Sequence, residues 1–147
     1  MEVRVSNHSV YKTQYHIVFI PKYRRRIFKN PGVRHLMHRL LYEASESIPG
    51  VEIREQNVQE DHVHMMIIIP PRYSVSEVVQ RLKGVTSMIM RKKMKWLKKM
   101  YTKSGIWSTG YFVSTVGIDE NIIRNYVRYQ EDLDSGQAKL DLRSPGL

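Results

Sequence analysis

Asp61-His62-Val63-His64-Met65-Met66-Ile67-Ile68-Ile69 is the stretch from which the rest of the chain can be placed. After Asp61 it is apolar and rich in β-branched residues, and Pro70-Pro71 closes it, which is the pattern of a strand. Side chains alternate across a strand, so His62 and His64 share one face and Val63 points to the other. Beyond His64 both faces are apolar, as in a central strand covered on both sides. In a chain of this size a second subunit can supply one of the covers.

Working outward, Val51 to Gln59 alternates apolar and polar residues, and Gln59-Glu60-Asp61 is short enough for a tight turn. These two strands are expected to form an antiparallel hairpin. Upstream, Gln14 to Ile20 reads as a buried strand ended by Pro21. Pro31-Gly32 opens a helix whose Val33, Leu36, Met37, Leu40, Leu41 and Ala44 recur at helical spacing, and Pro49-Gly50 ends it. Downstream, Ser74 with Glu77 forms a capping-box pattern for a long helix from Val75 to about Lys99. Its expected apolar stripe is Val78, Leu82, Val85, Ile89 and Trp96. Gly84 inside it marks either close packing or the approach of a ligand backbone. Tyr111 to Val116 is the fourth strand, Gly117 breaks it, and Asp119 can cap a last helix that ends at Ser135-Gly136. The tail to Leu147 is expected to be loose or to reach a partner. The order β-α-β-β-α-β is that of a ferredoxin-like or RRM-like α+β sheet, here with an additional C-terminal helix. Residues 1–147 are read as one domain.

Hydrophobic residues are 41% and charged residues 26% of the chain, an ordinary globular balance. No apolar run is long enough for a membrane span, and no export signal is read, so the cytoplasm is the expected location. Cysteine is absent, which removes disulfides and thiolate metal sites from consideration. The net charge is +10, which favours a polyanionic partner. From Val78 to Ile118 there is no Asp or Glu, but nine Lys or Arg: Arg81, Lys83, Arg91, Lys92, Lys93, Lys95, Lys98, Lys99 and Lys103. Arg81, Lys92, Lys95 and Lys99 form a second stripe along the long helix. Lys22, Arg24, Arg25 and Arg26 form another basic cluster just after the first strand. Nucleic-acid phosphates are the functional reading of these groups, and a solvated basic surface is the plain one.

Two imidazoles on one strand face are a ready pair of metal ligands, although many strands carry two histidines for no catalytic reason. On the last helix, Tyr126 and Gln130 stack one turn apart. Tyr126 taken alone is an ordinary core aromatic. The rival tyrosine, Tyr129, has Leu133 one turn on, which cannot bind metal. His35 and His38 on the first helix are read as surface histidines. Trp107 and Tyr111 suit base stacking but suit a core equally well.

Taken together, the motifs resemble a known family. His62-Val63-His64 after an acidic residue, on the third strand of such a fold, resembles the HUH motif (His, bulky hydrophobic, His). Tyr126 and Gln130 resemble the tyrosine helix of the TnpA-type single-tyrosine transposases of small bacterial insertion sequences, the IS-two-hundred/IS-six-hundred-and-five group. Tyr15-His16-Ile17-Val18-Phe19 running into Pro21-Lys22-Tyr23-Arg24-Arg25, Lys83-Gly84-Val85-Thr86-Ser87 and Trp107-Ser108-Thr109-Gly110-Tyr111-Phe112-Val113 are similar to that family as well.

The resemblance implies a DNA transposase. His62, His64 and Gln130 would hold Mg²⁺ or Mn²⁺, and Tyr126 would attack single-stranded DNA to leave a 5′-phosphotyrosine. The element ends would be recognised as hairpins, with Lys22, Arg24, Arg25, Arg81, Lys83, Lys92, Lys95 and Lys99 as DNA contacts. The family implies a homodimer in which one subunit's tyrosine helix can serve the other's histidines. Asp61 is read as a turn residue or as a group supporting the ligands from behind. Three other readings stay open: a related nuclease adapted by a host to repeated palindromes, a non-catalytic RRM-like nucleic-acid-binding module, and a small zinc hydrolase using His62 and His64.

Overall fold

A computed structural model describes residues 3–6, 10–102 and 105–136. Lys103 and the tail after Gly136, for which a loose or partner-seeking role was expected, lie outside the described residues. The chain opens with a two-stranded ribbon, β1 (Arg4–Val5) and β2 (Val10–Tyr11), which sequence patterning did not indicate. Then come β3 (Gln14–Phe19), two 3₁₀ turns at Lys22–Arg24 and Ile27–Lys29, and α1 (Pro31–Glu46). The hairpin of β4 (Glu52–Val58) and β5 (Val63–Ile68) follows, closed by Gln59 N–H donating to the His62 carbonyl at 2.8 Å. His62 itself sits one residue ahead of the strand. The chain continues through α2 (Val75–Lys93), α3 (Lys95–Met100), β6 (Phe112–Ser114) and α4 (Glu120–Asp134).

The main sheet has the order β4-β5-β3-β6 with every neighbouring pair antiparallel. Strand, helix, strand, strand, helix, strand in this arrangement is the expected ferredoxin-like sheet with an extra C-terminal helix. Alternation sorts the side chains. Ile17 and Phe19 of β3 and Val63, Met65 and Ile67 of β5 join the large core under α1 and α2. The other face carries His16, Val18 and His64 and ends in Ile20. There Val18 and Ile20 meet Ile123 and Val127 of α4, rimmed by Phe112, Ile118 and Tyr126. The second cover of the central strands is therefore the terminal helix of the same chain.

The helix ends follow the local sequence. Ser74 Oγ accepts from Glu77 N–H at 3.0 Å and Asp119 Oδ1 accepts from Ile122 N–H at 2.9 Å, the two caps expected. Asn30 caps α1 in the same way, accepting from Gly32 and Val33. Gly136, with φ 72°, takes the left-handed position after α4.

Two expectations are corrected. The long helix does not run to Lys99: it stops at Met94, which is extended (φ −123°, ψ 98°), and α3 restarts beyond it. No proline or glycine between Arg91 and Met100 announces the break. Its cause is tertiary, because the turn brings Leu97 and Tyr101 back onto the core. Trp96, expected on the apolar stripe, is rotated outward and is 44% exposed. The fourth strand is also shorter than expected, Phe112–Ser114 rather than Tyr111 to Val116, because Val116 already lies in the exposed turn towards α4. Gly84 has nothing within 4 Å of the place a Cβ would take, so close packing does not explain it.

Candidate active site

The histidines are positioned by the β4–β5 hairpin and held from behind. His62 Nδ1 lies 2.9 Å from Asp61 Oδ1, and Arg24 Nε donates to Asp61 Oδ2 at 2.7 Å. The bond from His62, joined by that from Arg24 and opposed by burial, holds the Asp61 carboxyl down at about 2. An ionised Asp61 accepts, so the His62 Nδ1 proton points at it, and Asp61 turns back onto His62. Burial first, then the neighbouring His16 and His62, push the His64 imidazole below its ordinary value, so it stays neutral. Its Nε2 is buried with no hydrogen-bond partner.

Two neighbouring imidazoles, one bonded to a carboxylate and one with an orphaned buried Nε2, fit the first two ligands of a divalent ion. Among the described residues no group of three His, Cys, Asp or Glu side chains converges as a metal set. His16, which sequence reasoning passed over, shares this face: its ring is 5.7 Å from that of His64, and its Nδ1 is also buried without a partner. Alternation along β3 together with the antiparallel register is the signal that finds it.

Tyr126 and Gln130 are one turn apart on α4 as expected, and Tyr126 Oη donates to Gln130 Oε1 at 3.1 Å. Gln130 Nε2 donates in turn to Asp134 Oδ1 at 3.1 Å, and Asp134 accepts from Tyr23 N–H at 2.9 Å and from Ser108 Oγ. Gln130 is only 3% exposed. Burial first, then Asp134 and Tyr129, raise the Tyr126 hydroxyl well above the ordinary tyrosine value. In this seat the phenol holds its proton.

The two halves lie on opposite flanks of α4. His62 shares a cavity of about 190 Å³ with Asp61, Arg24 and the α4 residues Glu120, Arg124 and Val127. Tyr126 instead faces β6, where its ring is 5.8 Å from that of Phe112. β5 and β6 flank β3 on opposite sides, and Ile123 and Val127 fill the space over it. Gln130, expected to join His62 and His64 as a ligand, has its amide bonded to Tyr126 and Asp134 in this structure.

The basic residues disperse. Arg24, expected on DNA, is drawn inward to Asp61 and to Glu131 of α4, at 3.2 Å. It and Tyr23 have positive φ, 53° and 63°, an unusual backbone for side-chain-bearing residues. Lys22 lies over the Tyr23 ring, and Arg25 lies between Tyr23 and Tyr101, 5.3 and 5.1 Å from the two ring centres. Lys83 is likewise turned inward: its Nζ donates to the carbonyls of Ser108 (2.9 Å) and Gly110 and lies 5.4 Å from the Phe19 ring centre. Burial pulls it down to about 8 against the pull of Asp134.

The expected stripe of Arg81, Lys92, Lys95 and Lys99 is split. Arg81 stands beside Pro49 and Glu77, Lys92 joins Lys83, Arg91 and Lys98 around a groove of about 500 Å³, and Lys95 and Lys99 leave with α3. Trp107 and Tyr111 do not offer stacking surfaces of the kind considered. Trp107 is 7% exposed and donates to Thr86 Oγ1, and Tyr111 packs against the core.

Residues 9–130 match the family described as "Transposase IS200 like". The transposase for insertion sequence element IS200 from Salmonella typhimurium is 34% identical over 142 residues, covering 95% of this chain and 90% of that one. The ISDra2 transposase TnpA of Deinococcus radiodurans is 26% identical over 133 residues, covering 90% and 94%. Among solved structures, a candidate transposase from Deinococcus radiodurans superposes with a TM-score of 0.69 at 22% identity, covering 92% of this chain and 98% of that one. A REP-associated tyrosine transposase bound to a REP hairpin gives 0.50 at 14% identity, covering 91% and 76%. These last two likenesses are of fold.

Proposed function

The chain belongs to the IS200-like transposase family, and we propose that it cuts and rejoins single-stranded DNA at the ends of a mobile element through a phosphotyrosine on Tyr126. The observation that carries this reading is the bonded one-turn pair Tyr126–Gln130 on the helix whose Glu120, Arg124 and Val127 line a cavity with His62. His62 Nε2, His64 Nε2 and the Gln130 amide oxygen would hold Mg²⁺ or Mn²⁺. Such an ion supplies charge withdrawal at the scissile phosphate and fixes its oxygens.

The residues of the chain do the rest. Tyr126 Oη gives up its proton and attacks phosphorus in line. The bond from phosphorus to the 3′-oxygen breaks, and that oxygen takes a proton. The products are a 5′-phosphotyrosine and a free 3′-hydroxyl. A second 3′-hydroxyl then attacks the same phosphorus, the bond to Tyr126 breaks, and the phenol regains its proton. Splitting the exchange in two conserves the phosphodiester energy without a nucleotide cofactor.

In the seat described, the phenol is protonated, its hydroxyl is bonded to Gln130, and α4 itself separates it from the histidines. Activity therefore requires α4 to leave this seat. The reading that fits is a homodimer in which the Tyr126 helix of one copy serves His62 and His64 of the other. Gly117, where an added Cβ would meet nothing within 4 Å, lies in the segment that joins β6 to α4 and would let α4 swing. The hairpin partner seen with the REP-associated transposase extends here to hairpins at the element ends. The RRM-like module would use the sheet face that α4 covers here.

The test uses each DNA strand flanking the gene separately, labelled at its 3′ end and incubated with protein and Mn²⁺. A denaturing gel should show label moving with the protein, dependent on metal, lost in Tyr126→Phe and kept in Tyr129→Phe. Loss in Tyr129→Phe alone assigns the wrong tyrosine here. Tight binding with no adduct on any strand leaves only the binding module. Mixing Tyr126→Phe protein with protein lacking His62 and His64 should restore the adduct if sites form between copies.

A further inference from the structure

We propose that the groove between α3 and the 3₁₀ turn Ile27–Lys29 is a second single-strand DNA site, in which Trp96 stacks on an unpaired base. The break at Met94 creates it. By turning Leu97 inward, α3 turns Trp96 and Met100, one helical turn apart, outward, 44% and 41% exposed. Together with Ile27 they line a groove of about 430 Å³, a space that admits a nucleobase. Its other walls carry Arg25, Arg26 and Lys29, and none of its lining residues is acidic.

The occupant follows from this chemistry. A large exposed aromatic beside a thioether offers a flat apolar contact, and cations on the opposite wall favour an anion. A base joined to its own phosphates satisfies both at once. An acidic peptide would meet the cations but needs no flat aromatic. A duplex keeps its bases stacked and cannot present one to Trp96. Arg25, already placed between Tyr23 and Tyr101, joins this groove to the 3₁₀ turn at Lys22–Arg24, whose Arg24 is paired with Asp61 beside His62. A single strand held there would run away from the histidine pair. The site does not depend on cleavage, so its test is separable from that of Tyr126.

The chain has two tryptophans, and Trp107 is buried, which makes Trp96 a built-in reporter. The full-length protein in metal-free buffer with chelator is titrated with an oligo-dT of about 12 nucleotides, too uniform to form a hairpin and within the usual site size. Tryptophan fluorescence should be quenched on binding. Trp96→Phe should keep most of the affinity, read by anisotropy of labelled oligonucleotide, and lose most of the quenching. Trp96→Ala should weaken binding about tenfold. Arg26→Gln and Lys29→Gln should each lower the slope of log K against log salt by about 0.7.

Quenching that persists in Trp96→Phe, or unchanged affinity in Trp96→Ala, overturns the proposal. So does an unaltered salt slope in both charge variants, since these exposed residues can be replaced without touching the core. Trp96 fluorescence that responds to vesicles of anionic phospholipid but not to oligo-dT would reassign the groove to a lipid surface and overturn it as well.

Discussion

The two faces of one sheet are built on different principles. The face under α1 and α2 is sealed mainly by apolar side chains, with Phe19, Phe28, Met37, Leu41, Met65 and Leu82 fully buried. The face under α4 has Val18, Ile20, Ile123 and Val127 at its centre and is also fastened by polar groups: Asp134 to Ser108 and Tyr23, and Glu131 to Arg24. Burial of a large apolar area gives the first face its cooperativity. The second face is where every proposed catalytic side chain sits.

The difference can be broken by substitution. Phe28→Ala, which removes a fully buried ring packed against Trp107, should cost about 3–5 kcal/mol of global stability in a denaturant titration. Ile123→Ala, equally apolar, should cost about 2 kcal/mol, and that cost should fall on α4. Hydrogen exchange should speed up in α4 while the strands stay protected. If Ile123→Ala lowers the main transition as far as Phe28→Ala does, α4 belongs to the same cooperative core and the contrast is lost.

Asp61→Asn should weaken Mn²⁺ binding roughly 10–100-fold in a calorimetric titration, because His62 loses the carboxylate that fixes its tautomer. Unchanged affinity would mean that the Arg24–Asp61–His62 chain is only a surface network.

Lys83 joins the two faces, reaching from α2 to the Ser108 and Gly110 carbonyls near Asp134. Its folded value, about 8, lies below the ordinary 10.5. Between these values the unfolded chain binds the extra proton, so stability rises with pH. The rise should be roughly 1–2 kcal/mol from pH 8 to 10, after allowance for screening at a partly open site. It should be absent in Lys83→Met. Above pH 10 buried Tyr101, raised to about 12, acts with the opposite sign, since it keeps a proton that the unfolded chain has lost. A flat profile from 8 to 10 in the unmodified protein would remove Lys83 from its assigned position.

The smallest effect is expected from Glu131→Gln. It breaks one half-exposed contact to Arg24 and should loosen the end of α4 by about 0.5 kcal/mol, seen as faster amide exchange there with metal affinity unchanged. A fall in metal affinity would show that Arg24 transmits the seating of α4 to His62.

Local chemistry by itself determined much of this protein. Period-two alternation placed His62 and His64 on one face, Ser74 and Asp119 announced the starts of α2 and α4, and the order of elements named the ferredoxin-like sheet. The spacing of Tyr126 and Gln130 put them one turn apart on one face of α4, where they are bonded. These features depend on neighbours a few residues away, so they survive without knowledge of the fold.

Tertiary structure alone decided the rest. Met94 breaks a good helical sequence because Leu97 and Tyr101 gain burial by the turn, and that gain depends on surfaces distant in the chain. Arg24 and Lys83, which read as phosphate contacts, were claimed by Asp61, Glu131 and backbone carbonyls brought in from elsewhere. The separation of Tyr126 from the histidines by the body of α4 is likewise invisible in spacing. Spacing says which side chains share a helical face, whereas docking decides which flank of the helix meets β5 and which meets β6.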